Sequence, residues 1–121
     1  MIGFSQRDPR WANERLGTSG WTLGQAGCLV TAAAALCANA GESTDPQLLN
    51  ELLRRLSGYA DDCLFIFSAI DGLGWRFTEF IECSLTPAPV EQIAAALANG
   101  AGCLAEVDWS PGGLVEQHWV W

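Results

Sequence analysis

The stretch Gly24-Gln25-Ala26-Gly27-Cys28-Leu29-Val30-Thr31-Ala32-Ala33-Ala34-Ala35-Leu36-Cys37-Ala38-Asn39-Ala40-Gly41 decides the fold. From Cys28 on, its residues are small or apolar nearly without interruption, and Gly41 is a good C-terminal stop. The pattern predicts a helix over 28–40. A helix that is apolar on almost every side has to be buried centrally rather than lie on a surface. Gly27, just before Cys28, permits a tight turn and close approach of another backbone.

Upstream, residues 4–25 are irregular and rich in turn formers: Asp8-Pro9, Gly17, Ser19-Gly20 and Gly24. Trp11 and Trp21 are expected to pin this loop to the domain. Downstream, Thr44-Asp45-Pro46 is a strong helix start. Leu48, Leu49, Leu52, Leu53 and Leu56 follow at helical spacing, with Glu51, Arg54 and Arg55 on the other face, and Gly58 closes the segment. The run 63–70 is of ambiguous type, with a short helix as one reading. Trp75-Arg76-Phe77-Thr78-Glu79-Phe80-Ile81-Glu82 alternates and predicts a strand. Residues 90–99, between Pro89 and Gly100, predict another helix. Two strands are expected over 103–109 and 118–121, joined by a turn at Ser110-Pro111-Gly112-Gly113. Helices first and strands later point to an α+β domain, in which N-terminal helices, with the Cys28 helix central and buried, pack on a C-terminal antiparallel sheet.

With 121 residues, the chain is expected to form one domain over 1–121. Half of it is hydrophobic and 17% is charged, enough apolar material for a core and unlike a disordered linker. Six Arg against 14 acidic residues give a net charge of −8. Such a chain is repelled by phosphate backbones and anionic lipid, so neither nucleic acid nor a membrane surface is an expected partner. No apolar run reaches the roughly 18 residues of a membrane span. The first residues lack the basic-then-apolar layout of a secretory signal, so the protein is expected in the cytosol as synthesised.

Five cysteines, Cys28, Cys37, Cys63, Cys83 and Cys103, are an odd and scattered set, unlike a disulfide framework. No pair has Cys-x-x-Cys spacing and there is one His, so no metal site is expected and no cofactor is called for. Four of the five are expected to be small buried residues. Cys28 differs, because a thiol at a helix N-terminus feels the positive end of the macrodipole and the unpaired N–H groups there. Both favour the thiolate. His118 lies on a late strand that could face that helix end, which would give a thiolate–imidazolium pair. On pattern alone, a lone His on an apolar strand is more often structural.

The strings Phe4-Ser5-Gln6-Arg7-Asp8-Pro9-Arg10-Trp11-Ala12, Leu16-Gly17 and Gly24 to Ala32 resemble the opening of papain-like cysteine peptidase domains. The group they resemble most is the bacteriocin-leader-processing, peptidase C thirty-nine-like type, whose members also occur in phage tail and lysin proteins. Asp45 to Asn50, Ala101 to Asp108 and Gln117-His118-Trp119-Val120 fit the same pattern, so the likeness runs over nearly the whole chain. It implies a papain-like fold, with Cys28 as nucleophile, His118 as general base and a Gln as oxyanion donor. Gln6 matches the family's Gln best, and Gln25 is its rival. The implied substrate is a peptide, either a leader peptide or a cell-wall peptide, and a phage virion is an implied location. In such domains an Asp or Asn on the strand after the His orients the imidazole. The sequence ends at Trp121 before any such residue, so the domain is expected to be C-terminally truncated, with Asp108 as a substitute.

Two other readings stand beside this one. Asp108 and Glu106 fit simple exposed strand-end carboxylates. The apolar end Trp119-Val120-Trp121 fits a strand edge that pairs with another chain, through self-association or in a non-catalytic interaction module.

Overall fold

The computed structural model describes residues 1–108, 110 and 116–121. It places helix α2 at Cys28–Asn39, and Val30 to Ala38 are buried without a break. α2 is the centre around which the other elements gather. The short helix α1, Leu23–Ala26, leads straight into it through Gly27. A Cβ on Gly27 would sit 2.5 Å from the Leu23 carbonyl oxygen and 2.7 Å from Leu23 Cα, so only glycine fits this junction. α3, Pro46–Arg55, begins as the sequence predicts: Asp45 accepts from the Leu48 N–H at 2.8 Å, and Pro46 occupies the first turn.

The apolar stripe of α3 is narrower than its leucines suggest. Leu49 and Leu53, four residues apart, are fully buried, whereas Leu48 is exposed and Leu56 lies exposed beyond the last turn. Asn50, next to Leu49, is also fully buried. Its Oδ1 accepts from the Gly17 N–H at 3.0 Å and the Tyr59 hydroxyl at 2.8 Å, and its Nδ2 donates to the Arg15 carbonyl at 2.9 Å. This one side chain joins the N-terminal loop, α3 and the strand that follows.

That strand, β1 (Tyr59–Ala60), pairs antiparallel with β2 (Leu64–Phe65), so the ambiguous run after Cys63 opens as a short hairpin arm. A single tight helical turn, Phe67–Ile70, follows. Residues 76–82 form no strand, contrary to the alternation in the sequence. Among the described residues, no strand pairs with them. The Trp75 indole is tied to the Leu36 carbonyl at 2.8 Å, and the Phe77 N–H to Asp71 at 2.7 Å. Their aromatic residues gather on Phe67 instead.

α4, Val90–Ala98, matches the expected helix but has no buried residue. β3 (Ala105–Asp108) and β4 (Gln117–Val120) form an antiparallel pair in which Val107 lies opposite His118 and Asp108 opposite Gln117. Of the predicted turn between them, residues 111–113 lie outside the described residues. β4 rests directly against α2. Helices and two small antiparallel sheets give the α+β arrangement the element order implies. Among the described residues, no helix is long and apolar enough to cross a membrane.

Two further expectations are corrected. Trp11 is an anchor, 2% exposed, but Trp21 is 57% exposed. Leu16 and Leu23, on either side of it in sequence, are the residues of this stretch that join Trp11 in the core. Of the four cysteines expected in the core only Cys37 is fully buried; Cys63, Cys83 and Cys103 are half-buried. Cys37 alone of the four belongs to the central element, in the last turn of α2.

Candidate active site

Cys28 is the first residue of α2 and is half-buried. Among the described residues, no side chain caps this end of the helix, and the Thr31 N–H donates to the Gly27 carbonyl at 2.9 Å to close the first turn. The uncapped N–H groups and the dipole therefore act on whatever sits at the helix start, here the thiol.

Gln6 reaches this end from the N-terminal loop. Its Nε2 donates to the Gly24 carbonyl at 3.1 Å, in a partly buried contact. Anchors flank it on the chain. The Trp11 indole N–H donates to the Ser5 carbonyl at 2.8 Å, and Phe4 packs edge-on against Trp11 at 5.7 Å. Two residues on, the Arg10 guanidinium grips Asp8 at 2.8 and 3.0 Å and holds its carboxyl down at about 2, while also lying 4.3 Å over the Trp11 ring. The Asp8-Pro9-Arg10-Trp11 string thus shapes the loop that delivers Gln6 beside the residues preceding Cys28.

Gln25 is used differently. It is exposed, and its Oε1 accepts from the Thr22 N–H at 3.0 Å. This is the return bond of a capping box at the start of α1. The signal was available, because Thr22-Leu23-Gly24-Gln25 has the required spacing.

His118 is half-buried in β4, the strand against α2. Trp119 directs its ring to Phe67, 5.8 Å away, and alternation puts His118 with Val120 on the opposite face. Directly opposed residues of an antiparallel pair share a face, so Val107 is the cross-strand neighbour of His118. Asp108 lies with Gln117 on the other face. It is exposed, and its Oδ1 accepts from the N–H groups of Ser110 at 3.1 Å and Glu116 at 3.2 Å. Strand register therefore sets Asp108 on the opposite face of the pair from His118, and its carboxylate holds the N–H groups of Ser110 and Glu116.

Two open surface depressions are lined by Glu51, Arg54 and Arg55 and by Ala88 to Gln92, and neither includes Cys28, Gln6 or His118. Among the described residues, no three His, Cys, Asp or Glu side chains come together to hold a metal ion. Thr31, one turn along α2 from Cys28, is 6% exposed, and its hydroxyl has no hydrogen-bond partner among the described residues. Nothing in the sequence singled it out. No protein-family model, curated protein or solved structure matches the chain.

Proposed function

We propose that the protein is a cysteine peptidase of papain-like type, a thiol-dependent amide hydrolase. The observation that carries this reading is the convergence on one end of α2: the Cys28 thiol at its uncapped start and the Gln6 amide bonded four residues ahead of it. His118, on the strand against the same helix, supplies the base. In the reaction, Cys28 Sγ attacks the peptide carbonyl, and the carbonyl oxygen takes the negative charge. The Cys28 N–H and the Gln6 amide donate to that oxygen, and protonated His118 gives its proton to the departing amine. Water then attacks the thioester, with His118 taking its proton, and releases the acid and the free thiol. Leader peptides and cell-wall peptides are the substrate classes of the reading.

A second reading, a non-catalytic interaction module on the same fold, has one observation in its favour. Asp108, the carboxylate that could have oriented His118, faces away from it.

Competitive alkylation with iodoacetamide, read per cysteine by peptide mass spectrometry, separates the two. Cys63, Cys83 and Cys103 are half-buried like Cys28 and serve as internal controls for exposure. The peptidase reading expects Cys28 to react fastest and to lose that advantage in His118→Ala. Modification spread evenly over the four would favour the interaction module.

A further inference from the structure

The net charge of −8 is not shared along the chain. Nine of the 14 acidic residues lie beyond Gly58, with Arg76 as the one cation there, so the whole excess belongs to residues 59–121. All nine are exposed, and none is held in an ion pair among the described residues. The same part of the chain exposes an aromatic cluster. Phe67 is its hub, with Phe65 at 5.6 Å, Phe77 stacked at 5.5 Å, Phe80 at 5.9 Å and Trp119 at 5.8 Å. Phe80 is 58% exposed, and Phe77, Ile66 and Ile81 are exposed beside it in sequence or in space.

The acids rim this cluster. Asp71 accepts from the backbone N–H of Phe77. Glu79 and Glu82 flank Phe80 and Ile81 on the chain. Glu106 is directly opposite Trp119 and shares its face of the β3–β4 pair. Exposed rings surrounded by carboxylates that no cation neutralises among the described residues have a definite chemical complement. Apolar side chains cover the rings, and Lys or Arg reaches both ring faces and carboxylates. We propose that this face docks a basic, phenylalanine- or leucine-bearing peptide segment of a partner protein. A second copy of the chain does not fit it, because each copy brings a further eight negative charges to the contact. The inference goes beyond the peptidase reading, since docking here needs neither Cys28 nor His118.

The test is fluorescence anisotropy with the full chain carrying Cys28→Ala, so that binding is read without turnover. The probe is an end-capped, dye-labelled peptide, Lys-Lys-Phe-Ser-Lys-Phe-Lys, with two controls, one with Glu for each Lys and one with Ser for each Phe. Saturable binding of the probe alone is expected, weakened about tenfold between roughly 0.05 and 0.5 M salt. Phe80→Ser and the combined Glu79→Gln, Glu82→Gln, Glu106→Gln variant should each weaken it about tenfold, while Glu51→Gln on α3 leaves it unchanged. All these sites are exposed, and circular dichroism checks that the variants fold. Equal binding of the Ser control, indifference to both patch variants, or no saturable binding would overturn the proposal. So would sedimentation showing a dimer that Phe80→Ser dissolves, because the occupant would then be a second copy. Failure of docking with Cys28 still selectively alkylated would leave the peptidase reading standing.

Discussion

The Gln6 side chain donates to the Gly24 carbonyl at 3.1 Å, which fixes an amide from the N-terminal loop four residues ahead of Cys28. Gln25, the nearer glutamine in sequence, instead spends its oxygen on the Thr22 N–H. The two glutamines should therefore separate by phenotype. Gln6→Ala is expected to lower kcat on an activated acyl ester by about 10²- to 10³-fold, the usual loss for an oxyanion donor, with a modest change in KM. Gln25→Ala should leave kcat alone and lower stability by about 1 kcal/mol through the lost capping bond. Steady-state kinetics and denaturant titration of both variants check this. A larger kcat loss in Gln25→Ala would reverse the assignment.

Asp108 offers a test of strand parity. Its Oδ1 holds two backbone N–H groups, and an amide oxygen can accept both equally well. Asp108→Asn should therefore leave the pH–rate profile and the stability close to wild type. Asp108→Ala removes the acceptor and should cost about 1 kcal/mol, reduced by solvent access. A tenfold fall in kcat for the Asn variant would mean that the carboxylate acts on His118 after all.

These two cases also show where the sequence was legible. The α2 and α3 boundaries could be read because each rests on a local device: Gly27 and Gly41 around one, Asp45-Pro46 before the other. The Cys28 placement came with them, being a property of the helix start. The face that Asp108 occupies was not legible, because face depends on register, and register is set by pairing with β4, not by the chain near Asp108. The 75–82 alternation failed for a related reason. A strand needs a neighbour, and among the described residues only Trp75 has one, in an isolated bridge to Asp71, so the Phe77 and Phe80 rings pack on Phe67 while the backbone stays irregular. Trp21 could not be told from Trp11 locally, since both are large rings in a turn-rich loop and only packing against the rest of the core separates them.

Thr31 carries a buried hydroxyl that no described group satisfies. Valine has the same shape, and removing an unpaired buried polar group recovers part of its desolvation cost. Thr31→Val should raise stability by about 1 kcal/mol, by the cost of an unsatisfied buried group. Because Thr31 lies one turn from Cys28, the activity of this variant is informative too. Unchanged kcat with raised stability assigns the hydroxyl no catalytic part, whereas a fall in kcat would assign it one. Urea titration and ester turnover on one preparation give both values.

Alkaline pH should weaken the fold through Cys37. Burial in the last turn of α2 pushes its thiol up from 9.0 to about 11, with Glu42 adding to the shift. The native state therefore keeps a proton that the unfolded chain releases. Stability is full below about pH 9 and falls as the pH rises toward 11, by a few kcal/mol at most, at about 1.4 kcal/mol per unit. Tyr59, also raised by burial, acts in the same direction at the upper end of that window. Denaturation midpoints at pH 7, 9 and 10.5 should fall over the last interval, and Cys37→Ala should flatten that fall while lowering stability at pH 7.

Asn50 joins three segments through one buried amide, and its replacements separate geometry from charge. Asn50→Ala orphans the buried Gly17 N–H and frees the Tyr59 hydroxyl and one of the two donors on the Arg15 carbonyl, the other being Arg54 at 2.6 Å. A loss of about 3 kcal/mol is expected from an orphaned N–H plus two lost bonds. Tyr59→Phe removes a single bond and should cost about 1 kcal/mol. Asn50→Asp is the sharper probe. As a neutral acid it can still accept from Gly17 and donate to the Arg15 carbonyl, but as a carboxylate it faces that carbonyl with no proton. Burial raises the native pKa of such a group, so its stability is present below the ordinary value of about 4 and is lost as the pH rises. Asn50→Asp should thus be near wild type at pH 3.5 relative to wild type at the same pH, and several-fold to a hundredfold less folded at pH 7. A pH-independent deficit would mean that the amide acts by shape alone.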